Sequence, residues 1–253
     1  MTNMMKADLY RITKTKSFYI FWIVNAILYL INIAGKDFGG VSFGGPSFIP
    51  EDVKMDIGAV AMNFNFYFLS ILPVFGIIIA EFSEHTIKNT ITSAISKAKY
   101  FLSKYVFALL YTAAAYLFSN YAFYFINRMV NGSEYSSALS DFSASLFSQL
   151  PLMLAIISLF IGLAFLFRKG AAFNAVTIIT PIVYSSVSVS LYTIENTQKL
   201  AEKLLDYDIN TMMARLALEC TDEYRRNCYL ISAAVIVLSF LIGYSSFTKR
   251  ELD

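Results

Sequence analysis

Residues 81–104 read EFSEHTIKNTITSAISKAKYFLSK, a polar and charged stretch within an otherwise apolar chain. Apolar runs flank it at about 59–80 and 105–126, and each is close to the roughly 20 residues that a helix needs to cross a bilayer. Within the stretch Ile87, Ile91 and Ile95 recur every four residues, which is the spacing of one helix face. We therefore expect a short helix at the membrane surface that is joined to two spans and contacts a component of the aqueous phase.

The composition supports an integral membrane protein. Of the 253 residues, 57% are hydrophobic and 15% charged, whereas soluble domains average about 45–50% and about 25%. Backbone polar groups in lipid must be satisfied within their own segment, so apolar spans of this length form helices. We predict an all-α, polytopic helix bundle that forms one transmembrane domain over residues 1–253. Its six predicted spans are 17–34, 59–80, 105–126, 146–167, 171–192 and 229–247.

The charged residues predict the orientation. With the N-terminus inside, 12 of the 20 basic residues lie on the inner side and 13 of the 18 acidic residues on the outer side. This asymmetry places both termini in the cytoplasm of a multi-pass plasma-membrane protein. The net charge of +2 is a balance between two faces, so we expect no nucleic-acid partner. A secretory signal is the alternative for the first apolar run, but no small-residue cleavage site follows it.

Two further segments have amphipathic patterns. In residues 1–16, Met5, Leu9 and Ile12 recur among basic residues, which predicts a helix at the headgroups of an anionic leaflet; a disordered basic tail is the alternative. In residues 193–228, apolar residues recur at intervals of three and four, which predicts one or two outer helices. These helices could enter the outer leaflet, cap the bundle or bind a partner. Cys220 and Cys228 in this segment form a small disulfide loop or stay unpaired, and the sequence leaves both open.

The sequence lacks the residues of several functional classes. The six predicted spans contain no Asp, Glu, Lys, Arg or His, which disfavours a proton-driven carrier. His85 is the only histidine, so a histidine-based metal site is not expected. No phosphate-binding loop of the Gly-x-x-x-x-Gly-Lys type is present. We expect no enzyme activity and no bound cofactor, and any uphill transport needs energy from another chain.

The fifth predicted span is rich in hydroxyl groups, which supports two interpretations. Hydroxyls in membrane helices usually form hydrogen bonds between helices, worth about 0.6 kcal/mol each on average. Alternatively, this span lines a path for an amphipathic substrate. The residues are Thr177, Thr180, Ser185, Ser186, Ser188 and Ser190.

The polar stretch resembles the corresponding segment in permease subunits of ABC-type exporters of the type 2 class. In that family an acidic residue ends the second span, then come Thr-hydrophobic-Lys, Pro-hydrophobic-Ser-Arg and a Lys at the mouth of the third span. The matching residues here are Glu81, Thr86-Ile87-Lys88, Ala94-Ile95-Ser96-Lys97 and Lys104. His85 replaces the usual glycine and Ala94 the usual proline. Residues 6–18 are similar to the family's basic elbow helix, and 247–252 to its usual C-terminal ending.

The resemblance implies that membrane passage and ATP hydrolysis reside in separate subunits. Two permease chains, identical or similar, would form the membrane path, and cytoplasmic ABC ATPase subunits that bind ATP and magnesium would supply the energy. The ATPases would dock on residues about 82–97, within the coupling helix region 81–104, and on the elbow helix, 1–16. The implied docking residues are Glu84, His85, Thr86, Lys88, Ile91 and Ile95.

The resemblance also implies a class of cargo. Small permeases of this class serve peptide or lipid-like cargo, including antimicrobial peptides exported or expelled for self-protection in bacteria. The alternative from another functional class is a membrane sensor or scaffold that relays an external signal to a cytoplasmic partner.

Overall fold

The structure, a computed structural model, describes residues 2–36, 53–62, 74, 78–84, 86–87, 91, 95–192, 194, 197–218 and 220–249. These residues form helices and turns, and they include no β-strand. In chain order the helices are α1 (Thr2–Lys14), α2 (Lys16–Gly35), α3 (Met55–Ala61), α4 (Ala80–Ser83), α5 (Lys97–Asn131), α6 (Leu139–Phe167), α7 (Gly170–Tyr192), α8 (Gln198–Asp206), α9 (Ile209–Ala217) and α10 (Asp222–Lys249).

Four helices of the described chain, α2, α5, α6 and α10, are long and apolar enough to cross a membrane. They overlap the first, third, fourth and sixth predicted spans, so the prediction of helices of membrane-spanning length and composition is confirmed for these four. The fifth predicted span is helix α7, but its crossing of the membrane stays a prediction. Most of the second predicted span, including 63–73, lies outside the described residues.

Helices α6 and α10 pack so closely that no side chain separates their backbones at one point. A Cβ atom placed on Gly162 would lie 2.7 Å from the carbonyl oxygen of Ser239. A Cβ on Gly243, one helical turn further, would lie 3.1 Å from the Cα of Gly162. Small residues let membrane helices approach in this way, which maximises van der Waals contact between their backbones.

The bundle has two ends, which we name after the short helices that lie there. At the α1 end lie α1, α4, the start of α5, the end of α6 and the end of α10. At the α9 end lie α3, α8, α9 and the turn between α5 and α6. There the buried carboxylate of Asp56 accepts hydrogen bonds from the backbone nitrogen and hydroxyl of Ser137, at 2.9 and 2.7 Å. This contact fixes α3 to the turn that precedes α6.

The predicted outer segment 193–228 contains the two short amphipathic helices α8 and α9, so its helical character is as predicted, while its location on the outer side stays a prediction. Its last residues differ, because α10 already begins at Asp222. Helix α9 buries Met212, Met213, Leu216 and Ala217 against the bundle, so among the three possible roles it caps the bundle. Cys220 and Cys228 are both free thiols.

Hydroxyl groups of α7 bond within their own helix in two described cases. Thr177 donates to the carbonyl oxygen of Phe173 at 2.8 Å, and Ser190 donates to that of Ser186 at the same distance. Such bonds satisfy a hydroxyl without a neighbouring helix. Each of these two hydroxyl groups therefore has an acceptor within α7 itself.

Candidate functional site

Four charged side chains from three parts of the chain meet at the α1 end, and we call Asp8, Arg11, Glu81 and Lys104 the charge cluster. The Nζ atom of Lys104 lies 2.5 Å from Oδ1 of Asp8 and 2.6 Å from Oε1 of Glu81. Arg11 donates from its Nη1 atom to the same oxygen of Glu81. The Tyr100 hydroxyl donates to Glu81 Oε2. One ammonium group therefore links α1, α4 and α5.

The cluster is buried except at one edge. The side chains of Lys104, Asp8 and Glu81 are 2%, 4% and 8% exposed, whereas that of Arg11 is 57% exposed. Two negative and two positive charges cancel, which limits the free energy needed to hold them out of water. Removing one partner of such a buried pair costs about 3–5 kcal/mol, because the other charge is left unpaired. The cluster is thus a strong constraint on the relative positions of the three helices.

Local sequence explains why these side chains converge. On α1, Asp8 and Ile12 lie one turn apart on the buried face, while Lys6 and Lys14 are exposed. On α5, Tyr100 and Lys104 are also separated by four residues and therefore share a face. The start of α5 is set by Ser96, whose hydroxyl accepts a hydrogen bond from the backbone nitrogen of Lys99 at 3.3 Å, a standard N-cap.

Asp8 has one carboxylate oxygen that the cluster does not satisfy. Its Oδ2 atom is buried and has no hydrogen-bond partner among the described residues. Burial raises the pKa of Asp8 above its ordinary value, and the attraction of Lys104 opposes this shift only in part. The unpaired oxygen and the raised pKa have the same cause, since this carboxyl group is shielded from water and receives only one donor.

Helix α4 makes a second contact, on the side opposite the charge cluster. The Phe82 ring lies against the rings of Phe165 and Phe247, with centroids 5.8 and 6.2 Å away. The guanidinium of Arg168 lies 5.8 Å from the Phe82 centroid and donates to the carbonyl oxygen of Ser246 at 3.1 Å. Glu81 thus faces α1 and α5, while its neighbour Phe82 faces the ends of α6 and α10.

Lys97 adds to this second contact. Its Nζ atom donates to the carbonyl oxygen of Thr248 at 3.4 Å. Cations near the last carbonyl groups of a helix are favoured by the helix dipole. The end of α10 is therefore held by two positive groups, Arg168 directly after α6 and Lys97 at the start of α5.

The six predicted docking residues fall into three groups. Glu84 is exposed in the turn after α4, and Thr86 is half-buried with its hydroxyl 3.4 Å from the carbonyl oxygen of Glu81. Ile91 and Ile95 are partly buried and pack against the hydrophobic core, next to the buried Ile87. His85 and Lys88 lie outside the described residues. The structure therefore turns the isoleucine face inward and leaves Glu84 at the surface.

Sequence reasoning identified Glu81 and Lys104 as the ends of two spans but did not pair them, and it missed Asp8 and Arg11. One signal was present. Asp8 is the only acidic residue in 1–16, and it lies one turn from Ile12 on the apolar face of α1. A buried acid at such a position needs a cation as its partner, and Lys104, which directly precedes the third predicted span, is one of the basic residues that adjoin a span.

A scan against protein-family models found no match, and a search of curated protein sequences found none either.

Proposed function

We propose that this chain is the transmembrane permease subunit of an ATP-driven exporter, with the α1 end in the cytoplasm and both termini on that side. It pairs with a second permease chain, identical or similar, and cytoplasmic ATPase subunits bind the segment between α4 and α5. The six-span topology belongs to this proposal, with 59–80 and α7 as the remaining crossings. Peptide-like or amphipathic molecules are the proposed cargo, in a bacterial plasma membrane.

The charge cluster is the observation that carries the proposal. A permease without its own energy source needs a surface that receives force and a stiff connection from that surface to the spans. The segment after α4 supplies the surface, with Glu84 exposed. Three residues away, Glu81 is bound to Lys104 on α5 and to Arg11 on α1. A displacement at Glu84 is therefore passed to α5 and α1 together.

The contacts of Phe82 extend this connection to two further helices. Because Phe82 packs on Phe165 of α6 and Phe247 of α10, the same segment touches the ends of three apolar helices of membrane-spanning length. A sensor or scaffold needs only a docking surface. The contacts of Glu81 and Phe82 reach α5, α6 and α10. They therefore favour a permease, in which the whole bundle changes shape, over a sensor or scaffold.

The test is to purify the tagged chain from its own host and to measure bound ATPase subunits and their ATP hydrolysis in lipid vesicles. We expect Glu84→Lys to reduce the bound ATPase, or its stimulation by cargo, by about tenfold, because it reverses one charge at the docking surface. Glu134→Lys is the matched control, since Glu134 is an exposed turn residue at the α9 end. Equal effects of both changes, or a purified chain without any ATPase, would favour the sensor or scaffold.

Orientation is tested separately by cysteine labelling. Cys220 and Cys228 are first replaced by alanine, and an exposed serine is then changed to cysteine at one end of the bundle. Ser83 reports on the α1 end and Ser133 on the α9 end. A membrane-impermeant maleimide should label Ser133→Cys in intact cells, and Ser83→Cys only after the membrane is opened. The reverse pattern would place the docking surface outside the cell and remove the proposal.

A further inference from the structure

Three side chains of α6 donate hydrogen bonds to main-chain carbonyl oxygens of α9. The Ser145 hydroxyl lies 2.6 Å from the oxygen of Ala217, and the Ser148 hydroxyl bonds that of Leu216. The Nε2 atom of Gln149 lies 2.6 Å from the oxygen of Met213. We call these three residues of α6 the donor face.

The two helices match in register. The donors stand at positions i, i+3 and i+4 of α6, and the carbonyl groups stand at i, i+3 and i+4 of α9. Residues at these spacings share one face of a helix. The last four carbonyl groups of any helix have no partner within the helix, and the donor face satisfies two of them.

The donor face is held in position by its surroundings. Gln149 is buried, and its Oε1 atom accepts a hydrogen bond from the Tyr116 hydroxyl at 2.9 Å. This bond orients the amide so that its nitrogen points to the carbonyl groups. The same nitrogen also donates to the carbonyl oxygen of Val60 at 2.9 Å. The donors are thus preorganised for main-chain oxygens.

Recognition of α9 depends little on the identity of its side chains. All three bonds go to main-chain atoms, and the apolar ridge of Met212, Met213, Leu216 and Ala217 is buried beside them. The one charged side chain of α9, Arg215, contacts Asp206 and the Tyr224 ring rather than α6. Any short helix with an apolar ridge offers the same groups at its C-terminal turn. Moreover, α9 has nine residues, and helices shorter than about 12–15 residues are marginal on their own.

We infer that the donor face is a binding site for the C-terminal turn of an amphipathic peptide helix, and that α9 occupies it as a tethered ligand. A free peptide of this kind displaces α9 and takes over its hydrogen bonds. As a statement about cargo this rests on the proposed export function, whereas the binding itself needs no ATPase. The site thereby specifies amphipathic helical peptides within the broader class of peptide-like cargo.

Tethering sets the concentration at which displacement occurs. A ligand held by a short flexible linker has an effective concentration in the millimolar range. A free peptide with the sequence of residues 209–218 has the same intrinsic affinity as α9, so it should displace half of α9 at about 1 mM. Weakening α9 without altering α6 should make binding of the peptide much tighter.

The experiment measures binding of that peptide, labelled with fluorescein, to the full chain in lipid nanodiscs by fluorescence anisotropy. Met213→Ser combined with Leu216→Ser removes two buried apolar side chains from α9, and we expect at least tenfold tighter peptide binding than to the parent. Adding Ser145→Ala and Ser148→Ala should weaken that binding at least tenfold, since two donors are lost. Ser140→Ala is the control, because Ser140 is exposed near the start of the same helix.

Three results would overturn the inference. They are equal peptide binding to parent and weakened chain, binding unaffected by the two serine changes, and equal binding of a scrambled peptide without the apolar ridge. Since no ATPase is present, failure here leaves the permease proposal untouched. Conversely, if no ATPase subunit co-purifies with the chain, the peptide-binding site is unaffected.

Discussion

The contact between α6 and α10 gives the most direct prediction of stability. Gly162→Ala places a Cβ atom 2.7 Å from the carbonyl oxygen of Ser239 and 3.3 Å from its carbonyl carbon. Ordinary contacts begin at 3.4 Å, so α10 must retreat by about 0.7 Å. The obstacle is backbone, which cannot rotate away as a side chain can. Overpacking of this kind costs about 1–3 kcal/mol, and we expect a value near the upper limit.

One term opposes this loss. Alanine is favoured over glycine in a helix interior by about 1 kcal/mol, which leaves a net loss of about 2 kcal/mol for Gly162→Ala. For a chain of this size each kcal/mol corresponds to about 2–4 °C. We therefore expect the midpoint of thermal unfolding of the purified protein in detergent to fall by about 4–8 °C.

Two other glycines provide a graded control. A Cβ on Gly243 meets the Cα of Gly162 and the Phe101 ring at 3.1 Å, so Gly243→Ala should have a smaller effect. A Cβ on Gly35 meets nothing within 4 Å, so Gly35→Ala should leave the midpoint unchanged or slightly higher. Unchanged midpoints for all three variants would refute the close packing of α6 on α10.

Further predictions concern the buried charges, each followed by unfolding of the purified protein. Lys104→Met should lower the free energy of unfolding by about 3–5 kcal/mol, because it leaves two carboxylates with one cation. Adding Asp8→Asn should recover part of this loss. If the losses from the two changes simply add, Asp8 and Lys104 are not paired. Because burial raises the pKa of Asp8 above 3.8, its contribution to stability is full at lower pH and is lost as pH rises through the folded pKa. Asp8→Asn should abolish this fall in stability with rising pH. A variant whose stability depends on pH in the same way as the parent would contradict the prediction. Asp56→Asn turns one acceptor into a donor facing Ser137, so it should cost about 1–3 kcal/mol, more than Ser137→Ala.

The sequence predicted the apolar helices better than their ends. Runs such as 146–167 are long enough to be recognised from hydropathy alone. However, α5 begins at Lys97 rather than at 105, since Ser96 caps it and the polar residues that follow continue the helix. Likewise α10 begins at Asp222 rather than at 229. Helices extend beyond the apolar core of a membrane, and hydropathy does not report those polar turns.

The charge cluster shows why sites are harder to predict than spans. Glu81 and Lys104 were recognised as the ends of neighbouring spans, but nothing local indicates that their side chains meet. The partner of Lys104 on α1 is 96 positions away in the sequence. Such pairings depend on how the helices pack, and a period of 3.6 residues reports only which face of one helix is apolar.

The order of synthesis gives the Asp8–Lys104 pair a further consequence. When the ribosome has made α1 and α2, the acid at position 8 lacks the cation that binds it directly, because Lys104 emerges 96 residues later. Until then α1 is free to detach from the growing bundle. The ion pair between Asp8 and Lys104 can form only when α5 reaches the translocon. Helix α1 is therefore held in place only after the third predicted span has been inserted. A chain truncated before Lys104 should therefore leave α1 open to proteolysis.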